Sequence, residues 1–94
     1  MTEYLCYILQ CADGTYYTGW TTDLERRVWQ HNAGRAARYT RSRRPVRPVY
    51  CEFQPSRAAA MKREAALKKF SRRRKLSLIL GGVETRHKPS ENRW

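Results

Sequence analysis

Acidic residues are scarce in this chain. Eight Asp and Glu stand against twenty Lys and Arg, and the formal net charge is +12 at pH 7. An imbalance of that size calls for a polyanionic partner, with nucleic acid the first expectation and a membrane surface the weaker one. Cysteines are few and odd in number: Cys6, Cys11 and Cys51, with no CxxC spacing. That argues against a disulfide framework or a zinc ribbon and fits a reducing cytoplasm. Long apolar runs and lipidation signals are missing, so no membrane association is expected. The opening MTEYLCYILQ lacks a basic n-region and a small-residue cleavage site, which excludes a secretory signal there. There are no internal repeats. What remains is one small domain of 94 residues. A domain of that size buries roughly 60–65% of its unfolded surface, so each buried polar group weighs heavily.

Residues 4–10 and 15–20 are rich in Tyr, Ile, Leu and Thr, and Ala12-Asp13-Gly14 separates them. The pattern predicts a β-hairpin. Two loops compete. A two-residue Asp13-Gly14 loop pairs Gln10 with Tyr17. A three-residue Ala12-Asp13-Gly14 loop pairs Leu9 with Tyr17 and Tyr7 with Gly19. Only the second puts Tyr7 and Tyr17 on one face, because strand side chains alternate. A helix follows to Asn32, with Thr21 or Thr22 as its cap and Asp23 and Glu25 in its first turn. Leu24, Arg27, Val28 and His31 share one face of it, and Arg26 lies on the other.

Residues 33–47 carry six arginines and no acid, and read as an ordered loop or arm. Val46–Phe53 reads as a strand, with Pro48 pointing to an edge or a late start. Ser56 caps a helix over 57–70 whose packed face holds Ala60, Glu64 and Leu67, flanked by Met61 and Phe70. Ser71 caps a short third helix that Gly81-Gly82 ends. The expected organisation is a domain over 1–80 in the order ββαβαα and a polar, mobile tail over 81–94.

Three groups of residues can carry chemistry. Glu64 is the only acid between residues 54 and 83, amid nine Lys and Arg. Read blandly, it is a helix carboxylate with an i,i+4 partner in Lys68, worth about 0.3–0.5 kcal/mol. On a packed face, however, a carboxylate must be paired, hydrogen-bonded or metal-bound, and one carboxylate with phosphate oxygens and waters is a normal Mg²⁺ site. Arg27 and His31 lie one turn apart on an apolar stripe. Arg27 can simply snorkel, or its fork can grip a phosphate. The tyrosines are ordinary cross-strand packing unless one lies beside Arg27. Deprotonating a free tyrosine at pH 7 costs about 4 kcal/mol, which Arg27, His31 and a metal would reduce by favouring phenolate. The arginine arm is a solvated charge run or, with Tyr39 among its arginines, a surface for single-stranded or distorted DNA.

These residues resemble the GIY-YIG endonuclease domain over about residues 4–80. Leu5-Cys6-Tyr7 stands for the first signature and Tyr17-Thr18-Gly19 for the second. The continuation is more specific: Trp20-Thr-Thr-Asp-Leu-Glu-Arg-Arg27-Val-Trp-Gln-His31-Asn, then Ala37-Arg-Tyr-Thr40, then Arg63-Glu64. The chain looks most like small stand-alone bacterial members. It is also similar to the nuclease domains of the bacterial excision-repair C subunit and of eukaryotic structure-specific nucleases.

The resemblance implies an α+β fold, a small three-stranded antiparallel sheet flanked by helices. It implies one-metal hydrolysis of phosphodiesters with Mg²⁺ or Mn²⁺. Glu64 would hold the metal, Tyr7 or Tyr17 would orient or deprotonate water, His31 would assist, and Arg27 would steady the scissile phosphate. Gly19 would allow close backbone approach. Arg35, Arg38, Tyr39, Arg41, Arg43, Arg44, Lys68 and Arg72 are the further candidate nucleic-acid contacts.

The leading expectation is therefore a metal-dependent DNA endonuclease of DNA repair or processing, selective for single-stranded, nicked or branched DNA. It would be cytoplasmic, and nucleoid-associated when bound. No second DNA-binding domain is present in these residues to read a long site. The competing expectations are a non-catalytic nucleic-acid-binding module and a nuclease subunit that needs a partner.

Overall fold

The computed structural model describes residues 2–81. The elements run β1 (Tyr4–Gln10), β2 (Tyr16–Thr21), α1 (Leu24–Asn32), α2 (Arg38–Arg41), β3 (Arg47–Gln54), α3 (Arg57–Lys68) and α4 (Arg72–Gly81). The fold is α+β, and its antiparallel sheet has the order β2-β1-β3. The order ββαβαα is met, with the four-residue α2 added inside the arginine arm. Gly81 is the last residue of α4. The rest of the expected tail, with Gly82, lies outside the described residues.

The hairpin takes the three-residue loop. Leu9 faces Tyr17 and Tyr7 faces Gly19. The Cys11 N–H donates to Thr15 O at 2.8 Å and the Gly14 N–H to Cys11 O at 2.9 Å. Gly14 has φ +86°, a conformation that glycine adopts without the Cβ clash other residues meet. Asp13 Oδ1 accepts from the N–H and hydroxyl of Thr15.

β1 is the central strand and is buried on both faces. Its odd residues Leu5, Tyr7 and Leu9 join Cys11, Leu24, Val46 and Cys51, with Tyr17, Val28 and Phe53 packed against them. Cys6, on the other face, joins Ala60 and Leu67, with Tyr4, Trp20, Phe70 and Leu78 around them. Period-2 alternation thus sends alternate residues of one strand into two cores, one beneath α1 and one beneath α3 and α4. Leu5 and Cys6, which depart from the family's first signature, are both buried.

The α1 cap is Asp23, not Thr21 or Thr22. Asp23 Oδ1 accepts the Arg26 N–H at 3.1 Å, and the Thr21 hydroxyl accepts the Asp23 N–H one step earlier. A carboxylate at the cap also favours the positive helix end. Ser56 and Ser71 cap α3 and α4 as expected. β3 is an edge strand, and its pairing with β1 shifts between Ile8 and Leu9, where Pro48 stands opposite Leu9. Met61, expected beside the packed face of α3, is exposed.

The arm is ordered from both ends. The Asn32 amide donates to Val46 O at 3.0 Å and its oxygen accepts the Val46 N–H at 2.7 Å. The Ala12 N–H donates to Arg43 O at 2.9 Å, tying the arm to the hairpin loop.

Candidate active site

One cleft gathers most of the expected set. Tyr7, Tyr17, Gly19, Arg27 and Glu64 line a cavity of about 340 Å³, with Trp20, Thr21, Thr22 and Arg57. The tyrosines come from the α1 face, while Glu64 comes from α3 on the opposite face. They meet along the edge strand β2, where Gly19 contributes no side chain.

Gly19 is fixed by its neighbour across the ladder. A Cβ built there would lie 2.5 Å from Tyr7 Oη and 2.7 Å from Tyr7 Cζ. No side chain fits that space unless the Tyr7 ring moves. The close approach that Gly19 permits is therefore that of the Tyr7 hydroxyl.

His31 does not line the cleft. It is fully buried behind Tyr7, at 1% exposure. Tyr7 Oη and His31 Nε2 are hydrogen-bonded at 3.0 Å, and His31 Nδ1 and Thr40 Oγ1 at 2.8 Å. Burial first, then the Arg27 charge, lowers the His31 pKa to about 4, so the ring is neutral at pH 7. Burial pushes the Tyr7 hydroxyl well above its ordinary range, and the Arg27 charge pulls the other way without overcoming it. Burial thus outweighs the easing of phenolate formation that Arg27 gives Tyr7.

Tyr17 is held from two sides. Its ring meets His31 edge-on at 5.0 Å and stacks on Tyr39 at 6.1 Å. Tyr39 in turn lies beneath the Arg43 guanidinium at 3.9 Å. The hydroxyl-bearing rings divide as the three-residue loop requires. Tyr7 and Tyr17 face α1, whereas Tyr4 packs near Trp20 and Tyr16 lies under Arg72.

The arginines divide as well. Arg43 donates to Asp13 and to Tyr39 O. Arg44 donates to Arg41 O and Asn32 O and fills the space beside Gly34. Both hold the arm in place. Arg38 and Arg41 are exposed, and Arg35 lies over the exposed Trp29 at 5.9 Å. Arg72 donates to Gly14 O at 2.9 Å. Lys68 makes a long ion pair with Glu64 at 3.8 Å.

Sequence reasoning missed Arg57, Trp20, Thr21, Thr22 and Thr40. Arg57 carried a usable signal: it lies seven residues before Glu64, two helical turns, and so on the same face. In the structure its guanidinium lies over the Trp20 ring at 5.2 Å, bringing a second cation to the cleft.

The donor set fits one kind of metal. No cluster of three or more His, Cys, Asp or Glu able to hold an ion exists among the described residues. Glu64 brings one partly accessible carboxylate to a polar cleft. A hydrated hard cation that completes its shell with water and substrate phosphate oxygens suits that arrangement, and a four-ligand zinc site does not.

Comparisons with known proteins identify the family. The GIY-YIG catalytic domain model matches residues 3–77. A UPF0213 protein of Syntrophus aciditrophicus is 50% identical over 80 residues, covering 84% of this chain and 92% of its own. A UPF0213 protein of Halobacterium salinarum is 51% identical over 73 residues, covering 78% of this chain and 95% of its own. Among solved structures, a protein from E. faecalis superposes with a TM-score of 0.59 at 36% identity, over 95% of this chain and 96% of that one. A UPF0213 protein of Bacillus halodurans gives 0.54 at 46% identity over 88% of each chain. This chain belongs to the GIY-YIG catalytic domain family and is similar to its small UPF0213 members.

Proposed function

We propose that the protein is a divalent-metal-dependent DNA endonuclease that hydrolyses phosphodiester bonds. The observation that carries the proposal is the convergence of Tyr7, Tyr17, Arg27 and Glu64 on one cleft around a backbone left bare by Gly19. In-line hydrolysis needs a water with somewhere to send its proton, and positive charge where the phosphate becomes more negative. Arg27 and Arg57 supply that charge from two sides of the cleft. Glu64 is the residue that would hold Mg²⁺ or Mn²⁺, whose Lewis acidity is worth several kcal/mol at a phosphoryl oxygen. Behind the cleft, the hydrogen-bonded Tyr7–His31 pair gives the attacking water's proton an exit. As water attacks phosphorus its proton passes to Tyr7 Oη while the Tyr7 proton passes to His31 Nε2, and the phosphorus–oxygen bond opposite the water breaks. The departing oxygen takes a proton from solvent, and His31 returns its proton through Tyr7 to solvent once the product has left.

The exposed side chains of α1 and the arginine arm support selectivity for unpaired or distorted DNA. Trp29 is an exposed aromatic with Arg35 beside it, and Arg38 and Arg41 are exposed cations, a combination that stacks bases and contacts phosphates with little regard to sequence. A role in DNA repair or processing follows from that selectivity. The test is cleavage of labelled single-stranded, duplex, flap and branched DNA with Mg²⁺ or Mn²⁺, with and without EDTA. Metal-dependent cleavage, strongest where strands are unpaired, is the expected result. Salt-sensitive binding with no turnover on any substrate would instead favour a non-catalytic binding module or a nuclease subunit that needs a partner.

A further inference from the structure

A neutral imidazole carries one N–H, on either ring nitrogen, and its neighbours decide which. The two partners of His31 are both hydroxyls, Tyr7 Oη at Nε2 and Thr40 Oγ1 at Nδ1. A hydroxyl can donate or accept, so this pair alone leaves the tautomer open. The next link distinguishes the two. Thr40 Oγ1 donates to the Ala37 carbonyl at 3.2 Å, and Thr40 is fully buried. Its one proton is thereby used, and only lone pairs remain for His31. With that bond made, Nδ1 carries the hydrogen and Nε2 accepts the Tyr7 proton. The opposite arrangement would forfeit the Thr40–Ala37 bond and turn Nε2–H toward Tyr7 Oη, so that Nε2 could take no proton from Tyr7.

We infer that Thr40 is a positioning residue that sets the His31 tautomer and so the direction of proton movement away from Tyr7. The chain runs from Tyr7 Oη to His31 Nε2, and from His31 Nδ1–H to Thr40 Oγ1 and the Ala37 carbonyl. Thr40 touches neither the cleft nor any reacting atom. Its neighbour Tyr39 stacks on Tyr17, so α2 braces both tyrosines through consecutive residues. The exposed Arg38 and Arg41 are on the same turn, which joins the arm's outer cations to the hydroxyls within.

The catalytic consequence rests on the nuclease reading given above, but the tautomer does not. The test uses the full chain, labelled with ¹⁵N in histidine, with His31 assigned by comparison with His31→Gln. At pH 7 the wild type is expected to show a protonated, pyrrole-type Nδ1 and an unprotonated, pyridine-type Nε2. Thr40→Val removes the acceptor and should move population toward the Nε2–H form, and Thr40→Ser should restore the wild-type pattern. On DNA, Thr40→Val should lower kcat roughly tenfold or more, as a misassigned imidazole tautomer does, with DNA affinity unchanged and Thr40→Ser close to wild type. A wild-type ring protonated at Nε2, or a tautomer unmoved by Thr40→Val, overturns the inference even if DNA is cleaved. The expected tautomer in a protein that cleaves no DNA leaves the inference standing and removes the nuclease reading instead.

Discussion

Two glutamates on the α3 side of this sheet show how one residue type serves two ends. Glu52, on β3, is 5% exposed. It accepts from the Tyr50 hydroxyl, the Gln54 amide and two nitrogens of Arg63. Its oxygens are taken, and the cluster is closed to ligands. Glu64, on α3, keeps about a fifth of its side chain accessible and, among the described residues, has only the long contact to Lys68. It opens on a cleft with Arg27 and Arg57. A saturated carboxylate holds structure together, whereas an undersupplied one beside cations is available to a ligand.

Exchanging the two roles by mutation gives the largest stability effect. Glu52→Ala leaves Arg63 without its partner and should cost about 2–4 kcal/mol, below the range for a wholly buried pair because a third of Arg63 stays in solvent. Glu64→Ala should stay within about 0.5 kcal/mol of wild type. Urea unfolding of both variants reads the difference, and equal losses would break the comparison.

A second contrast is in pH. His31 is held neutral in the fold, with a pKa of about 4 against an ordinary 6.5. Between those values the unfolded chain binds the extra proton, so stability is full above pH 6.5 and is lost as pH falls through 4. The shift corresponds to about 3 kcal/mol. His31→Gln should flatten that part of the pH–stability curve, which thermal melts at pH 4–7 would show.

Gly19→Ala sharpens the claim about the cleft. The added Cβ meets the Tyr7 hydroxyl, and overpacking of this kind costs about 1–3 kcal/mol. Cleavage should fall more than stability accounts for, because the Tyr7–His31 bond is displaced with the ring.

The smallest expected effect separates the arm's arginines. Arg38→Ala or Arg41→Ala should each lower the salt dependence of DNA binding by about one unit of slope with little loss of stability. Arg43→Ala should instead destabilise the arm, since Arg43 ties Asp13, Tyr39 and the hairpin together. Binding titrations at several salt concentrations, alongside melts, distinguish the two.

Much of the site was legible because it rides on regular elements. Alternation along a strand separated Tyr7 and Tyr17 from Tyr4 and Tyr16 once the loop length was known. Helical spacing placed Arg27 with His31, and Glu64 with Ala60 and Leu67. What stayed hidden depends on contacts distant in sequence. Thr40 is one hydroxyl in an arginine-rich run without periodicity, and nothing local marks it as buried. Glu52 alternates with apolar neighbours on an edge strand, and its partner Arg63 lies in another element. Arg43 and Arg44 read as free cations because their acceptors are mostly backbone carbonyls, which a sequence pattern does not display.

The central claim is that Glu64 serves chemistry and not the fold. Single-turnover cleavage of unpaired DNA in Mg²⁺ or Mn²⁺ by wild type and Glu64→Gln tests it most directly. The account predicts that the variant folds as the wild type does and cleaves at least about a hundredfold more slowly, as loss of a several-kcal/mol metal contribution requires. A folded Glu64→Gln that cleaves as fast as the wild type would contradict it.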